Sequence, residues 1–157
     1  MEKETALLSR LTEKFSAIDA EKATMTLRRL YVPVPGDIFM DVLKFAASEL
    51  KCTHLITITG LDNGDSLEFA YHISNDEGIV LTLKLKTSAE NPVIQSVLPI
   101  YNGATFYERE LQDILGVKVE GLPEGRRYPL PESWPEGQYP LRKSWTLDML
   151  KAKSEEG

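Results

Sequence analysis

The chain has 157 residues and a formal net charge of −6 at pH 7. This length fits one domain that is large enough to bury a hydrophobic core. The acidic balance argues against binding to a phosphate backbone, which requires a basic face, so we expect no nucleic-acid partner. No apolar run approaches the roughly 20 residues that span a bilayer. The N-terminus lacks the pattern of a signal peptide, and Cys52 is the only cysteine, so we expect a reducing, cytoplasmic setting.

The first third of the chain predicts two helices with a strand between them. Apolar residues at spacings of three and four predict a helix from residue 2 to about residue 16. Residues 23–32 have the β-branched and aromatic content of one strand, which the Pro-Val-Pro-Gly sequence after it ends. Asp37 is the predicted N-cap of a second amphipathic helix that reaches about residue 50.

Three strands follow in close order, over residues 53–61, 67–73 and 79–86. The turns between them contain Asn, Asp and Gly, which tolerate positive φ. Strict alternation places Leu67, Phe69, Tyr71 and Ile73 on one face of the middle strand. We therefore predict an antiparallel meander with one buried face, and the amphipathic helices are the natural cover for it.

A third helix is predicted with Asn102 or Thr105 as its N-cap and Leu115 near its end. Gly116 suits a left-handed C-cap. Beyond this helix the sequence shows no clear regular element, until residues 146–153 form either a short helix or a frayed end.

Proline and aromatic residues dominate the last part of the chain. Five of the nine prolines and both tryptophans lie in residues 120–145. Proline removes a backbone donor, so this stretch cannot form regular ladders. The large rings of Tyr128, Trp134, Tyr139 and Trp145 nevertheless gain nothing from exposure to water. The stretch is therefore expected to lie along a surface, either of its own domain or of a partner.

Together these elements predict an α+β fold. It consists of an antiparallel sheet of about four strands, amphipathic helices packed on one face, and an extended Pro-rich C-terminal tail. We assign residues 1–119 to the domain and residues 120–157 to a docking tail.

The sequence offers little catalytic chemistry. His54 and His72 lack a second ligand at metal-binding spacing, and no nucleotide-binding loop is present. Cys52 follows an amphipathic helix and is expected to pack as a small apolar residue. We expect no metal or cofactor to be bound by this protein.

Charged residues on the third helix allow several interpretations. Glu108, Glu110 and Asp113 could serve acid–base chemistry in a free-standing enzyme. Alternatively, Arg109 and Asp113 could form an i,i+4 ion pair on a solvated face. A third possibility is pairing with the basic residues of the tail, which would either hold the tail on the domain or present charges to a partner.

Motifs in this region resemble a known family. They comprise Tyr107-Glu108-Arg109-Glu110, Asp113, Leu115-Gly116-Val117, Gly121-Leu122-Pro123, Arg126-Arg127, Leu130-Pro131-Glu132, Trp134, Gly137 and Pro140-Leu141-Arg142-Lys143. The sequence resembles the thirty-kilodalton subunit of respiratory complex I (NADH–quinone oxidoreductase), a family that includes a subunit of energy-converting membrane-bound [NiFe] hydrogenases. The form of residues 130–143 looks closer to the hydrogenase branch. Departures at Gln112, Leu115, Ser144 and Glu124-Gly125 leave the particular complex open.

The resemblance implies a non-catalytic subunit of the hydrophilic arm. It implies a large catalytic subunit and a neighbouring iron–sulfur subunit as partners, with [NiFe] or iron–sulfur centres held by those partners. It also implies a cytoplasmic location, peripheral to the inner face of the cell membrane, with membrane contact only through the complex. A generic interaction adaptor remains the alternative.

The residues expected to contact a partner combine the motif residues with the rings and basic groups of the tail. They are Glu108, Arg109, Glu110, Asp113, Gly116, Gly121, Pro123, Arg126, Arg127, Tyr128, Trp134, Pro140, Leu141, Arg142 and Lys143.

Overall fold

The computed structural model describes residues 1–154, and the side chains of residues 1–150. In chain order the elements are α1 (Glu2–Lys14), β1 (Thr24–Thr26), β2 (Arg29–Pro33), α2 (Phe39–Ser48), β3 (His54–Asp62), β4 (Ser66–Ser74), β5 (Val80–Ser88), β6 (Val93–Gln95), α3 (Thr105–Leu115), β7 (Lys118–Glu120) and α4 (Leu147–Ser154). Single 3₁₀ turns lie at Ala20–Lys22 and Asn102–Ala104.

The main sheet confirms the predicted α+β class and differs in detail. Its strand order is β1-β2-β5-β4-β3. Strands β3, β4 and β5 form the predicted antiparallel meander. β2 pairs with β5 in parallel and β1 pairs with β2 in antiparallel fashion, so the sheet has five strands rather than about four.

The prediction of a single strand over residues 23–32 is wrong, because a tight hairpin divides this stretch. Thr26 faces Arg29 across the turn, and Arg28 adopts a left-handed φ of 60°. The Arg28 N–H donates a 2.6 Å hydrogen bond to Oε1 of the buried Glu4 in α1. The turn contains no glycine or asparagine to signal it, and a contact from 24 residues away helps to hold it.

The core lies between one face of this sheet and the helices. Phe69 and Tyr71 of β4 are fully buried. Phe39 of α2 packs on Tyr71 with 4.8 Å between ring centroids. α3 crosses β3 at Gly60, where an added Cβ would overlap Leu111 and Leu115. The missing side chain therefore lets α3 approach the sheet closely.

Both predicted side-chain N-caps are wrong. α2 begins after Ile38 and α3 begins after Ala104, and neither position makes a side-chain capping bond. A 3₁₀ turn leads directly into α3, so tertiary packing rather than a polar cap sets its start. The C-terminal prediction is confirmed, since Gly116 has a φ of 70° and its N–H bonds the Gln112 carbonyl.

Two short strands were not predicted. β6 and β7 pair in parallel to form a second, two-stranded sheet. Each of these strands has three residues, which is too few to show alternation. The two strands are also distant from each other in the sequence. The expectation of no regular element directly after α3 is therefore wrong for β7. The predicted boundary between residues 119 and 120 falls inside this strand, and the division remains a prediction.

The C-terminal end is helical where it is described. Of the two alternatives for residues 146–153, the structure has the helix α4. Residues 155–157 of the predicted tail lie outside the described part. Among residues 1–154, no helix combines the length and the apolar character needed to cross a membrane.

Candidate partner-binding surface

The C-terminal segment, defined here as residues 121–146, contains no helix or strand and folds back over α3. Asp113 holds it at one point. Its Oδ1 accepts a 2.7 Å bond from Arg127 Nε, and its Oδ2 accepts a 2.9 Å bond from the Leu130 N–H. Of the alternatives for Asp113, the structure has pairing with the C-terminal segment rather than with Arg109, because the segment supplies a donor to each carboxylate oxygen.

A second attachment lies at the end of β3. Asp62 Oδ2 accepts a 2.9 Å bond from the Lys143 N–H and lies 3.6 Å from Arg142 Nε. Arg142 also donates to the Ala89 carbonyl. The Lys143 N–H, assisted by the Gly64 N–H and the Arg142 charge, holds the pKa of Asp62 below its usual value against the opposing effect of burial. The carboxylate therefore binds the segment in its ionised form.

Three of the four large rings of the segment are half-buried within the chain. Trp134 and Trp145 lie 5.8 Å apart between ring centroids, and both indole N–H groups bond to Gln138. The Tyr139 ring fills the space above Gly116, where any side chain would overlap it. The two tryptophans therefore pack within the segment, and Tyr139 packs the segment against the end of α3.

Glu108 lies inside the domain and is fully buried. Its carboxylate accepts a 2.7 Å bond from Ser96 Oγ and a 2.6 Å bond from the Val97 N–H. Burial raises the pKa of Glu108, and these two bonds offset part of that rise. Glu108 thus joins α3 to the loop that follows β6.

The three carboxylates of α3 are not assembled into an acid–base site. Glu108 is bonded to the loop after β6, whereas Asp113 is bonded to the C-terminal segment. The Glu110 side chain is half-buried and makes no hydrogen bond or ion pair with the other described side chains. Among those side chains, no group of three His, Cys, Asp or Glu residues could hold a metal ion. Cys52 is buried as predicted, and burial raises its pKa to about 11.

An exposed aromatic pair stands beside a groove between α3 and the C-terminal segment. Phe106 is 60% exposed and Tyr128 is 44% exposed. Their ring centroids are 5.3 Å apart in an edge-on arrangement. The adjoining groove has a volume of about 700 Å³. It is lined by Arg109, Gln112, Asp113, Leu122, Pro123, Glu124, Gly125, Arg126, Arg127, Tyr128, Glu136, Gly137 and Tyr139.

The three arginines that line this groove differ in their contacts within the chain. Arg109 lies against Gly125, where an added Cβ would overlap its guanidinium, and approaches the Glu124 carbonyl at 3.5 Å. Arg127 is fixed by Asp113 and by the Trp134 carbonyl. Within the side chains that the structure describes, Arg126 pairs only with Glu132, and both are exposed, so this ion pair adds little to stability. Arg126 therefore remains available to another molecule.

The structure separates the predicted contact residues into two groups. Glu108, Asp113, Gly116, Arg127, Trp134 and Arg142 make contacts within the chain. The others lie at or near the surface, and they are Arg109, Glu110, Gly121, Pro123, Arg126, Tyr128, Pro140, Leu141 and Lys143. Arg109, Arg126, Leu141 and Lys143 in this group also bond within the chain, to Glu124, Glu132, Ile114 and Asp62.

Sequence reasoning missed Phe106 and Asp62. Glu108, Leu111 and Leu115 define the buried face of α3, and Phe106 lies outside it. An apolar residue at such a position on a helix could have been identified as a candidate contact residue. Asp62 was interpreted only as a turn residue. Its partner Lys143 is 81 residues away, and no local signal indicates that contact.

A solved structure of a known protein has the same architecture. A polypeptide from the membrane-bound sulfane sulfur reductase, an archaeal respiratory membrane complex, superposes with a TM-score of 0.82 and 25% identity. The match covers 98% of this chain and 92% of that polypeptide. The fold, including the C-terminal segment, is thus one that occurs in a respiratory membrane complex.

The family follows from the sequence comparison. Residues 32–150 match the family of the respiratory-chain NADH dehydrogenase 30 Kd subunit, and the protein belongs to this family. A subunit of the F(420)H(2) dehydrogenase of Methanosarcina mazei is 32% identical over 142 residues, covering 88% of this chain and 89% of that protein. The membrane-bound hydrogenase subunit beta of Pyrococcus furiosus is 29% identical over 150 residues, covering 90% and 86%. The resemblance in the sequence motifs is confirmed.

Proposed function

We propose that this protein is a non-catalytic subunit of a complex I-related membrane-bound oxidoreductase, of the energy-converting [NiFe] hydrogenase or NADH–quinone type. Its role is to dock on the large catalytic subunit and to support it during electron transfer coupled to ion translocation. The observation that carries this proposal is the exposed pair Phe106 and Tyr128, which stands beside the groove that α3 forms with the C-terminal segment.

The aromatic pair supplies the apolar part of such a contact. A buried aromatic side chain removes roughly 150–250 Å² from water. At about 25 cal/mol per Å², the exposed remainder of two rings contributes a few kcal/mol before the costs of association are subtracted. Tyrosine and arginine are enriched among the residues that dominate binding energy at interfaces, and phenylalanine is enriched at interfaces in general.

Internal contacts of the segment reduce the cost of ordering it. Asp113 and Asp62 bind the segment at two separated points, at Arg127 and Leu130 and again at Lys143. A surface that is already ordered loses less conformational entropy on binding. Arg109 and Arg126 would then orient carboxylates or carbonyls of the partner, since the guanidinium fork is directional.

The relatives support the same assignment. Their names describe subunits of an F(420)H(2) dehydrogenase and of a membrane-bound hydrogenase. By analogy, the partners of this protein are the large catalytic subunit and a neighbouring iron–sulfur subunit, and those partners hold the [NiFe] or iron–sulfur centres. The protein itself would bind no cofactor and would lie at the inner, cytoplasmic face of the membrane through the complex.

Purification from the native host through a tag on this protein tests the proposal. The wild-type protein should recover the large subunit, with nickel or iron–sulfur signals in electron paramagnetic resonance spectra. The double variant Phe106→Ser/Tyr128→Ser should lose both. Leu27→Ser is the matched control, because Leu27 is 74% exposed on a distant turn. Full recovery with the double variant, or a wild-type protein recovered without metal-containing partners, would contradict the proposal.

A further inference from the structure

The face of the main sheet opposite the core carries no helix among the described residues. α2 and α3 pack on the face that contains Tyr71 and Gly60, and the buried leucines of α1 belong to the same core. No described hydrogen bond or ion pair joins the other face to a helix or to the C-terminal segment. We refer to this surface as the open face.

Strand register defines the residues of the open face in three central rows, and a further row beside the first contains Arg29, Val80, Ser74 and His54. The first row runs Tyr31, Thr82, His72 and Thr57, the second Pro33, Lys84, Ala70 and Thr59, and the third Lys86, Glu68 and Leu61. The central residues Ala70 and Thr82 are small and buried by their neighbours. The surface is therefore flat at its centre, with longer side chains around it.

Positive charge is concentrated on the open face although the whole protein is acidic. Arg29, Lys84 and Lys86 project from its strands, and Glu68 is the single carboxylate among the three rows. Glu68 lies 3.0 Å from Lys84 and 3.8 Å from Lys86, so one partly buried acid serves two ammonium groups. Burial lowers the pKa of His72, and the charges of Arg29 and Lys84 lower it further, which shows the same positive potential. The protein as a whole carries −6.

A groove at one edge of the open face continues this pattern. It has a volume of about 640 Å³, and Pro33, Val34 and Pro35 are among its lining residues, together with Lys84 and Lys86. The Lys22 side chain also lines it, paired at 3.2 Å with Asp19. The groove therefore combines an apolar wall with three ammonium groups and the two carboxylates of Asp19 and Glu68, which leaves an excess of positive charge.

We propose that the open face is a second interaction surface, and that it binds an acidic polypeptide segment of a neighbouring subunit. Carboxylates of that segment would pair with Lys84, Lys86 and Arg29, while its backbone lies on the flat centre. The protein would then bridge two neighbours, one at the open face and one at the α3 surface.

A lipid bilayer fits this surface less well than a polypeptide. Each basic residue near an anionic membrane contributes only about 1 kcal/mol. Three such residues, two of them sharing a carboxylate, do not suffice without apolar side chains that insert. Leu61 is the exposed large apolar side chain on the three rows, at 46%. Charge complementarity in a flat, small-residue surface is instead typical of a protein contact.

Lysine acetylation of the native purified complex tests the proposal. Interface residues are desolvated, so Lys84 and Lys86 should react about tenfold more slowly in the complex than in the isolated protein. Lys14 and Lys44, which are exposed on α1 and α2, should react equally in both. A zero-length carbodiimide cross-linker should join Lys84 or Lys86 to an Asp or Glu of another subunit. Equal acetylation rates, or cross-links to Glu68 alone, would overturn the proposal.

Two further measurements separate the alternatives. Vesicles of phosphatidylglycerol should not protect Lys84 and Lys86 of the isolated protein from acetylation. If the vesicles protect these lysines as much as the complex does, the open face is a membrane-binding surface and the proposal is overturned. Lys84→Gln/Lys86→Gln should release the cross-linked neighbour while the large subunit stays bound through the α3 surface, whereas Lys14→Gln/Lys44→Gln should release neither. Loss of the large subunit in Phe106→Ser/Tyr128→Ser tests the proposed function separately. If the neighbour stays bound after Lys84→Gln/Lys86→Gln, the open face is not its site.

Discussion

Asp113 of α3 and Arg127 of the C-terminal segment form an ion pair in which Oδ1 accepts a 2.7 Å hydrogen bond from Nε. The aspartate side chain is 7% exposed and the arginine side chain 27%. Because Oδ2 accepts the Leu130 N–H at the same time, one carboxylate fixes both the side chain and the backbone of the segment. This contact orders the segment before any partner binds.

Asp113→Asn should loosen the segment without unfolding the domain. The amide keeps the shape, but it loses the charge and replaces one acceptor oxygen with a donor nitrogen. Hydrogen bonds to charged groups contribute about 1.5–3 kcal/mol, and partial exposure of Arg127 reduces this to about 1–2 kcal/mol. Amide exchange near Leu130 should accelerate while β4 stays protected. Arg126→Lys, at an exposed pair, is the control and should change neither.

Replacing Glu108 with glutamine should lower the free energy of unfolding far less than replacing it with alanine. In Glu108→Ala the buried Val97 N–H and Ser96 hydroxyl lose their acceptor, and unsatisfied buried groups cost about 1–3 kcal/mol each. Glu108→Gln still offers one acceptor to Val97 and a donor to Ser96 Oγ. Urea unfolding should therefore show a loss of several kcal/mol for alanine and a small change for glutamine. Equal losses in the two variants would exclude this role for the carboxyl.

The pH dependence of stability should also differ between these variants. The pKa of Glu108 is raised above its ordinary value of 4.5 in the folded protein. At pH values between 4.5 and the higher pKa of the folded state, Glu108 keeps a proton in the folded protein that it has released in the unfolded protein. The free energy of unfolding contributed by this group therefore falls as pH rises through the interval. Glu108→Gln should remove this component, and an unchanged pH profile would contradict the assignment.

The contribution of Asp62 to stability should depend on pH in the opposite direction. Its pKa is lowered below 3.8 because it accepts the Lys143 N–H. The stabilisation is fully present above 3.8 and is lost as pH falls through the folded value. In an NMR titration the Lys143 amide shift should follow this group, with a midpoint below 3.8, and Asp62→Asn should abolish the step. A midpoint at or above 3.8 would show that the bond does not form in solution.

Gly116→Ala should destabilise the junction between α3 and the C-terminal segment. Gly116 has a φ of 70°, and the Tyr139 ring occupies the position of an added Cβ. A non-glycine residue in this conformation costs about 1–3 kcal/mol, so the unfolding midpoint should fall. Gly103→Ala is the matched control, since nothing lies within 4 Å of its added Cβ. Adding Tyr139→Ala to Gly116→Ala should recover the part of the loss that comes from overlap.

Local patterns predicted the meander and the end of α3, and they failed where distant contacts decide the structure. Alternation over β4 and β5 is strong because one face of each strand is buried. The hairpin at Arg28 depends on Glu4, and β6 exists only because β7 returns beside it. For the candidate site, the motif residues were recognised, but whether Asp113 points to its own domain or to a partner could not be decided from spacing. Lys143 and Asp62 meet only through the fold.

Hydrogen–deuterium exchange of the isolated protein and of the protein in its native complex tests the central claim most directly. Amides near Tyr128 and Arg126, which the fold itself does not hold in a helix or strand, should exchange rapidly alone and gain protection in the complex. α1 serves as the internal reference and should exchange equally in both. Equal exchange of residues 121–129 in the two states would show that this segment only completes its own domain, and would contradict its role as a surface for the large subunit.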